Sequence, residues 1–358
     1  MKLLFFPAFI LVILISVSFN CSENAVGSTD LLPPGRRDYV WTIDSIDYEN
    51  LPTFIELKSM WGSAPTDVWG SHFTGDVRNC LWHYDGTAWK RAVEGTPITD
   101  PGGGSAIVGG VWGTEQNDVW AFGGTRFSNP EREAPFVMHF NGSVWTEVFG
   151  DTSKMPNGYW DVFGIEKDHF WVTTAEDVFR FKNDEWSRFL IRSVSVIPSI
   201  SVYGTNVYLT NYLIGIDSLF LYKLSGDEFK PIDKTTLFNG KFGAHGLIVL
   251  KDKAFTFNEN GIYSTSATNG EINTGGWSLV VSTSSPNGLY NSFVRNEKDI
   301  WAVGFNKFPY QFNGTDWKEI DIFNGNSPPN FQSLFGIWGD GNEIFICDIY
   351  NGIIYHGK

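Results

Sequence analysis

His83, His139 and His356 stand at equivalent points of a recurring sequence pattern, and histidine is the first side chain to weigh for metal ligation or proton transfer. Other copies of the pattern carry Arg180 or Gln311 at that point. Neither side chain replaces a metal-bound imidazole, so the position reads as a half-exposed strand site. His72, His169 and His245 are scattered, with no Cys/His pair at zinc spacing, and no metal or other cofactor is implied. Asp67, Asp118, Asp168 and Asp299 recur just ahead of an apolar strand, where a carboxylate is expected to cap the preceding turn by accepting backbone N–H bonds. A glycosidase pair of carboxylates leaves no linear signature, so glycan cleavage stays open, but no catalytic residue is assigned. Gly102-Gly103-Gly104 lacks the Lys-Ser/Thr of a phosphate loop and is expected to join two units.

The elements that must position these residues are repeats. Met60-Trp61-Gly62-Ser63, Asp67-Val68-Trp69 and Asp85-Gly86-Thr87-Ala88-Trp89 recur as Trp112-Gly113, Asn117-Asp118-Val119-Trp120 and Asn141-Gly142-Ser143-Val144-Trp145. They return near the end as Asp299-Ile300-Trp301 and Asn313-Gly314-Thr315-Asp316-Trp317. Asp-Gly and Asn-Gly between apolar runs predict hairpins with type I′ turns, giving four antiparallel strands per unit.

Second strands are expected at Trp69, Trp120, Trp171, Tyr208, Phe255, Trp301 and Phe345, and fourth strands at Trp89, Trp145, Trp186, Phe229, Trp277 and Trp317. The seventh unit stops after its third strand. Tyr39-Val40-Trp41-Thr42-Ile43-Asp44 reads as its missing Trp-led strand at the other end of the chain, so the two ends are expected to pair and close a ring. Of the 15 Trp only Trp82 falls off a repeat position, so the tryptophans are explained without a ligand platform.

Four-stranded units of this period resemble β-propeller blades, which implies an all-β, seven-bladed β-propeller over residues 38–358, its last blade completed by the N-terminal strand. In its wording the chain resembles propeller repeats of exported bacterial proteins, many of them lipoproteins of unknown function. A looser likeness to the Asp-box of sialidases is limited by Trp82-His83-Tyr84, which precedes Asp85 where that motif has Ser or Thr two residues earlier. A sialidase would also need clustered arginines and a tyrosine nucleophile. The arginines Arg78, Arg91, Arg126, Arg132, Arg180, Arg188, Arg192 and Arg295 show no recurring placement toward an axis.

Lys2 and the apolar run from Leu3 to Phe19 have the layout of a secretory signal. Cys21 resembles the lipidated cysteine of bacterial lipoproteins, although Ser18-Phe19-Asn20 departs from the usual lipobox; cleavage after Ser18 and an uncleaved anchor are the alternatives. The expected organisation is a signal peptide over 1–20, a tether over 21–37 ending in Pro33-Pro34-Gly35-Arg36-Arg37, and the propeller. Cys80 and Cys347 lie on apolar stretches and are expected to be packed thiols rather than a disulfide. A formal net charge of −14 disfavours nucleic acid and anionic lipid as partners, which leaves a lipid anchor as the membrane link.

Departures from the repeat carry the functional expectation, because binding residues concentrate on loops held by a rigid scaffold. The loop between second and third strands is expected to be long in unit two, over Gly123 to Glu133, and moderate in unit one, over Ser71 to Arg78. Both emerge on one face and gather His72, Asp76, Arg78, Arg126, Phe127, Glu131, Arg132 and Glu133 as candidate ligand-binding residues. The expected role is a monomeric, non-enzymatic module that binds a protein or glycan at the cell surface. A glycan-active hydrolase or lyase with its site at the central funnel is the alternative.

Overall fold

The structure, a computed structural model, describes residues 33–46, 56–72, 80–93, 105–128, 131–158, 161–174, 177–191, 195–213, 217–236, 240–283, 288–305, 308–326, 329, 332–349 and 352–358. Among these residues there is no helix, and the strands form seven antiparallel sheets that follow one another along the chain. Blade one consists of Leu57–Ala64, Asp67–His72, Leu81–Tyr84 and Trp89–Arg91. The inner strands of blades two to six are Ser105–Glu115, Asp161–Glu166, Ser195–Tyr203, His245–Val249 and Leu289–Asn296. All seven expected second strands are found, and blade five adds a short strand, Glu271–Ile272, that shares a partner with its outer strand, Ser278–Ser282.

Blade seven is assembled from both ends of the chain. Leu334–Gly339, Ile344–Asp348 and Ile353–Gly357 are completed by Trp41–Ser45, in register from Trp41 opposite Gly357 to Ser45 opposite Ile353. Each inner strand contacts the next, and that of blade seven contacts that of blade one, so the ring is closed. Ahead of the closing strand, Arg37 donates to the Gln311 side-chain oxygen at 2.6 Å and to the Asp316 carboxylate at 3.0 Å. Gly35 donates its backbone N–H to Lys298 O. A Cβ on Gly35 would fall 1.9 Å from the Gln311 amide, so only glycine brings the chain this close.

The recurrent Trp-Gly pair of the inner strands has a packing cause. A Cβ on Gly113 would come within 2.9 Å of the Trp61 ring, one on Gly164 within 1.7 Å of Trp112, and one on Gly62 within 2.9 Å of Trp338. Each indole therefore lies on the bare backbone of the following blade. Farther from the axis other aromatics fill the widening gap: Trp69 and Trp145 meet edge to face at 5.4 Å, and Trp120 and Phe170 pack at a tilt at 5.3 Å. Trp82, which had no repeat position, is buried between blades seven and one with Phe345 and Cys347. Cys80 and Cys347 are buried and are not joined in a disulfide, and burial first of all pushes the Cys347 thiol up to about 12.

Polar stitches run between neighbouring inner strands. The Ser59 hydroxyl accepts from Val111 N and donates to Val111 O, and the hydroxyls of Ser199 and Ser201 accept from Leu247 N and Val249 N. Asp161 does the same for blade four, accepting from Ile200 N at 3.2 Å and from the Ser199 hydroxyl at 3.1 Å.

The hairpins at Asp85-Gly86, Asn141-Gly142 and Asn313-Gly314 differ from expectation. Only the glycines Gly86, Gly142 and Gly314 have positive φ, at 88°, 91° and 94°. The side chains of Asp85, Asn141 and Asn313 instead accept N–H bonds from residues two and three positions on, so Asp and Asn are selected as acceptors rather than for left-handed backbone. Adjacent residues with positive φ, as expected of a type I′ turn, occur at Asn269-Gly270 in blade five, with φ of 49° and 73°, and at Asn183-Asp184 in blade three, with φ of 52° and 62°.

Candidate functional site

Strand direction gives the ring two faces. Turns joining first to second and third to fourth strands lie on one, the hairpin face; loops joining second to third strands and successive blades lie on the other, the connection face.

On the hairpin face the cross-strand pair opposite the second-strand aromatic recurs as Trp69–His83, Trp120–His139, Trp171–Arg180, Tyr208–Lys223, Trp301–Gln311 and Phe345–His356. In blade one the His83 ring stacks on Trp69 at 4.1 Å and its Nε2 lies 2.6 Å from Asp67 Oδ1. The same carboxylate accepts from the Ser63 hydroxyl at 2.5 Å and the Trp69 indole N–H at 3.0 Å. Blade two repeats the set with Thr114, Asp118 and His139, and blade six rebuilds it with Arg295, Asp299, Trp301 and Gln311. Blade seven uses Glu343 for the carboxylate, and buried His356 also reaches Asp44 of the closing strand at 2.9 Å.

These carboxylates were expected to cap turns through backbone N–H groups; they accept from side chains instead. Asp168 does not belong to the set. It lies one residue early and is exposed, and His169 holds the equivalent place. Burial raises the Asp67 and Asp118 carboxyls, but donation from His83 and Ser63, and from His139 and Thr114, outweighs it and leaves both below the usual carboxylate range.

Between blades one and two these groups line an open cleft of about 710 Å³, bounded by Ser63, Asp67, Trp69 and His83 on one side and by Thr114, Asn117 and Phe140 on the other. Hydroxyl, carboxylate and imidazole are the residue types of a hydrolytic triad, but their order is wrong for one. A triad places imidazole between hydroxyl and carboxylate so that it can take the hydroxyl proton, whereas here the carboxylate is in the middle and itself accepts the Ser63 hydrogen bond. Recurrence of this order in blade two identifies it as a blade fastening. Among the described residues no group of three or more His, Cys, Asp or Glu side chains is placed to hold a metal.

The connection face carries the residues singled out from the sequence. His72 ends the second strand of blade one, is buried, and accepts the Glu56 backbone N–H at its Nδ1 at 2.9 Å; burial above all keeps its pKa below the ordinary value. Asp76, Arg78 and Cys21 lie outside the described residues. The expected long loop from Gly123 to Glu133 is instead mostly strand. Blade two has strands Ser105–Glu115, Asp118–Ser128 and Glu131–Phe140, with Arg126 opposite Glu133, Phe127 opposite Arg132 and Ser128 opposite Glu131. Five of the eight candidate residues thus sit along one paired ribbon. Its fourth strand, Trp145–Glu147, pairs only with Met138 to Phe140, so the register leaves the outer edge from Glu131 to Phe136 beyond that strand's reach.

No protein-family model matches the chain, and no curated protein matches it. Its structure is similar to that of YCF48 bound to D1 peptide, with a TM-score of 0.61 and 16% identity over 92% of this chain and 99% of that one. It is also similar to a catalytically inactive virginiamycin B lyase from Staphylococcus aureus with quinupristin, at 0.60 and 12% over 89% and 99%. A third likeness is to the WD40 β-propeller domain of Doa1, at 0.52 and 10% over 89% and 97%. At these identities the likeness extends to the propeller fold and no further.

Proposed function

We propose that this protein is an exported, lipid-tethered propeller that binds a protein or glycan partner at the cell surface without chemically altering it, using the ribbon of blade two as its main contact. The observation that carries this reading is the length of that ribbon. Its three strands run 10 or 11 residues, while the second and third strands of blade one run 6 and 4. A paired ribbon holds its contact residues in register, which lowers the ordering cost of binding. The fastening role of the hairpin-face Asp–His pairs supports binding over chemistry, and the similar YCF48 structure was solved with a bound peptide. Export and tethering rest on the apolar run from Leu3 to Phe19 and on Cys21.

Replacing residues 124–134 by a short Asn-Gly turn tests the reading. Capture of a surface-fraction protein or an array glycan by the wild type, and loss of that capture at unchanged melting temperature, is expected. Unaltered capture rejects the ribbon, and turnover of a glycan by the purified protein assigns the chain to the hydrolase or lyase class instead. Cys21→Ala, expressed in a host with lipoprotein processing, is expected to leave the detergent phase for the aqueous one; equal partitioning of both chains rejects the anchor.

A further inference from the structure

A second group of side chains on the connection face has no part in the fastenings or the ribbon. Rings from three consecutive blades form an arc at the mouth of the central channel: His245 to Tyr290 at 4.5 Å, Tyr290 to Phe305 at 5.0 Å, and Phe305 to Phe335 at 6.0 Å. Tyr290, Phe305 and Phe335 are half-exposed, while His245 is only 8% exposed. Tyr290 and Phe335 stand near the starts of the inner strands of blades six and seven, and Asn291 ties the two by donating to Phe335 O at 2.9 Å.

On residues that adjoin this arc in space or in sequence, several polar atoms are buried without partners among the described residues. They are Nδ1 of His245, both ends of the Gln332 carboxamide, with Gln332 6% exposed, and Oε1 of Glu259. Glu259 sits in the turn of blade five against Gly288, where a Cβ would fall 2.6 Å from the Glu259 Cα, two residues ahead of Tyr290. Burial first, and the negative charge of Glu259 second, hold the Tyr290 hydroxyl above its usual pKa, which places the carboxylate within electrostatic reach of the arc. Buried polar atoms without partners are uncommon and call for an explanation.

We propose that this mouth is a binding site for an N–H-bearing organic cation, the ammonium or guanidinium of a basic peptide side chain, held against the Tyr290 and Phe305 rings with Glu259 as counter-charge. Ring faces attract cations through their quadrupole. The unpaired carboxylate oxygen, the Gln332 carbonyl and a neutral imidazole nitrogen all accept hydrogen bonds, which a quaternary ammonium could not supply and an ammonium or guanidinium can. Burial lowers the His245 pKa to about 4, so the ring adds no repelling charge near neutrality. The net charge of −14 favours approach of a cation and opposes an anionic ligand.

The test titrates the full mature protein, at physiological ionic strength, with the peptides Ac-Gly-Arg-Gly-NH2 and Ac-Gly-Lys-Gly-NH2, with Ac-Gly-Gln-Gly-NH2, with butylammonium and with a neutral disaccharide. At least one cationic peptide is expected to bind, and butylammonium more weakly. Glu259→Gln and Phe305→Leu should each weaken the peptide by about fivefold to tenfold. Glu185→Gln, an exposed acid on the hairpin face, should leave it unchanged. Melting curves identify any variant whose loss reflects unfolding, and Glu259→Gln keeps the side-chain shape. The proposal is overturned if neither cationic peptide binds, if the Gln peptide or the disaccharide binds as tightly, or if Glu185→Gln weakens binding as much as Glu259→Gln. It does not depend on the blade-two ribbon, and the ribbon variant should bind these peptides like the wild type.

Discussion

Nε2 of His83 lies 2.6 Å from Oδ1 of Asp67 while the ring stacks on Trp69, so one histidine closes blade one by hydrogen bond and by stacking at once. Removing it leaves a carboxylate that is 4% exposed short of one donor, and His83→Ala is expected to cost about 1–3 kcal/mol. Blade six performs the same closure with Gln311, whose amide donates to Asp299 at 2.8 Å. His83→Gln should therefore recover most of the loss in urea unfolding. Equal destabilisation by both substitutions would show that stacking, and not the hydrogen bond, carries the effect.

Gly164 and Trp112 should behave as one unit. A methyl group on Gly164 would enter the indole plane at 1.7 Å from Trp112, and the ring cannot retreat from a packed inter-blade seam. Gly164→Ala is expected to destabilise by about 1–3 kcal/mol through overpacking. Combining it with Trp112→Leu should cost less than the two losses added. Strict additivity in the double-mutant cycle would show that the ring and the glycine are not in contact.

Much of this architecture is legible in the sequence because inter-blade wedges demand aromatics at one spacing. Trp69, Trp120, Trp171 and Trp301 mark second strands, and Tyr208, Phe255 and Phe345 do so where the indole is lost. The role of Asp67 was less legible, since its partner His83 follows sixteen residues later and meets it only through strand register. The usable signal was the spacing of Asp two residues before Trp, which Asp67, Asp118 and Asp299 share and Asp168 breaks. The blade-two ribbon was hidden by composition. Gly123, Gly124 and Pro130 have the character of a loop, yet Gly123 and Gly124 pair in the ladder opposite Phe136 and Pro135. The ring arc at the channel mouth left no linear trace because Tyr290 and Phe305 come from an inner strand and a second-to-third-strand loop of blade six, and Phe335 from blade seven.

The closing strand makes an unequal contribution along its length. Trp41 is 5% exposed and packs edge to face on Trp301 at 6.5 Å, whereas Ile43 is 61% exposed. Trp41→Ala should cost about 3–5 kcal/mol, and Ile43→Ala within about 0.5 kcal/mol. Deleting residues 22–46 would bare the edge of Ile353–Gly357, and both a lower melting temperature and self-association are expected. A deletion variant that melts and sediments like the wild type would mean that the ring closes without this strand.

Asp161 should set a pH dependence of stability with a sign opposite to that of most carboxylates. Burial raises its pKa to about 6, against the donors Ile200 N and the Ser199 hydroxyl, which act to lower it. A folded value above the unfolded one means that the folded protein binds more protons between the two, so the contribution is fully present below about pH 4 and is lost as pH rises through about 6. His245, lowered to about 4 by burial, has the reverse slope: its contribution is present above its unfolded value and is lost as pH falls toward 4. Both chains in the comparison keep His245, so its effect cancels. Asn at position 161 retains an acceptor for Ser199 and Ile200 and carries no charge to desolvate. Asp161→Asn is therefore expected to be more stable than wild type by on the order of 1–2 kcal/mol at about pH 7.5 and nearly equal to it at about pH 4, read from urea midpoints. A gap that is the same at both pH values, or a variant less stable at the higher one, would show that the aspartate is held in its charged form by the inter-blade donors and that burial does not dominate this seam.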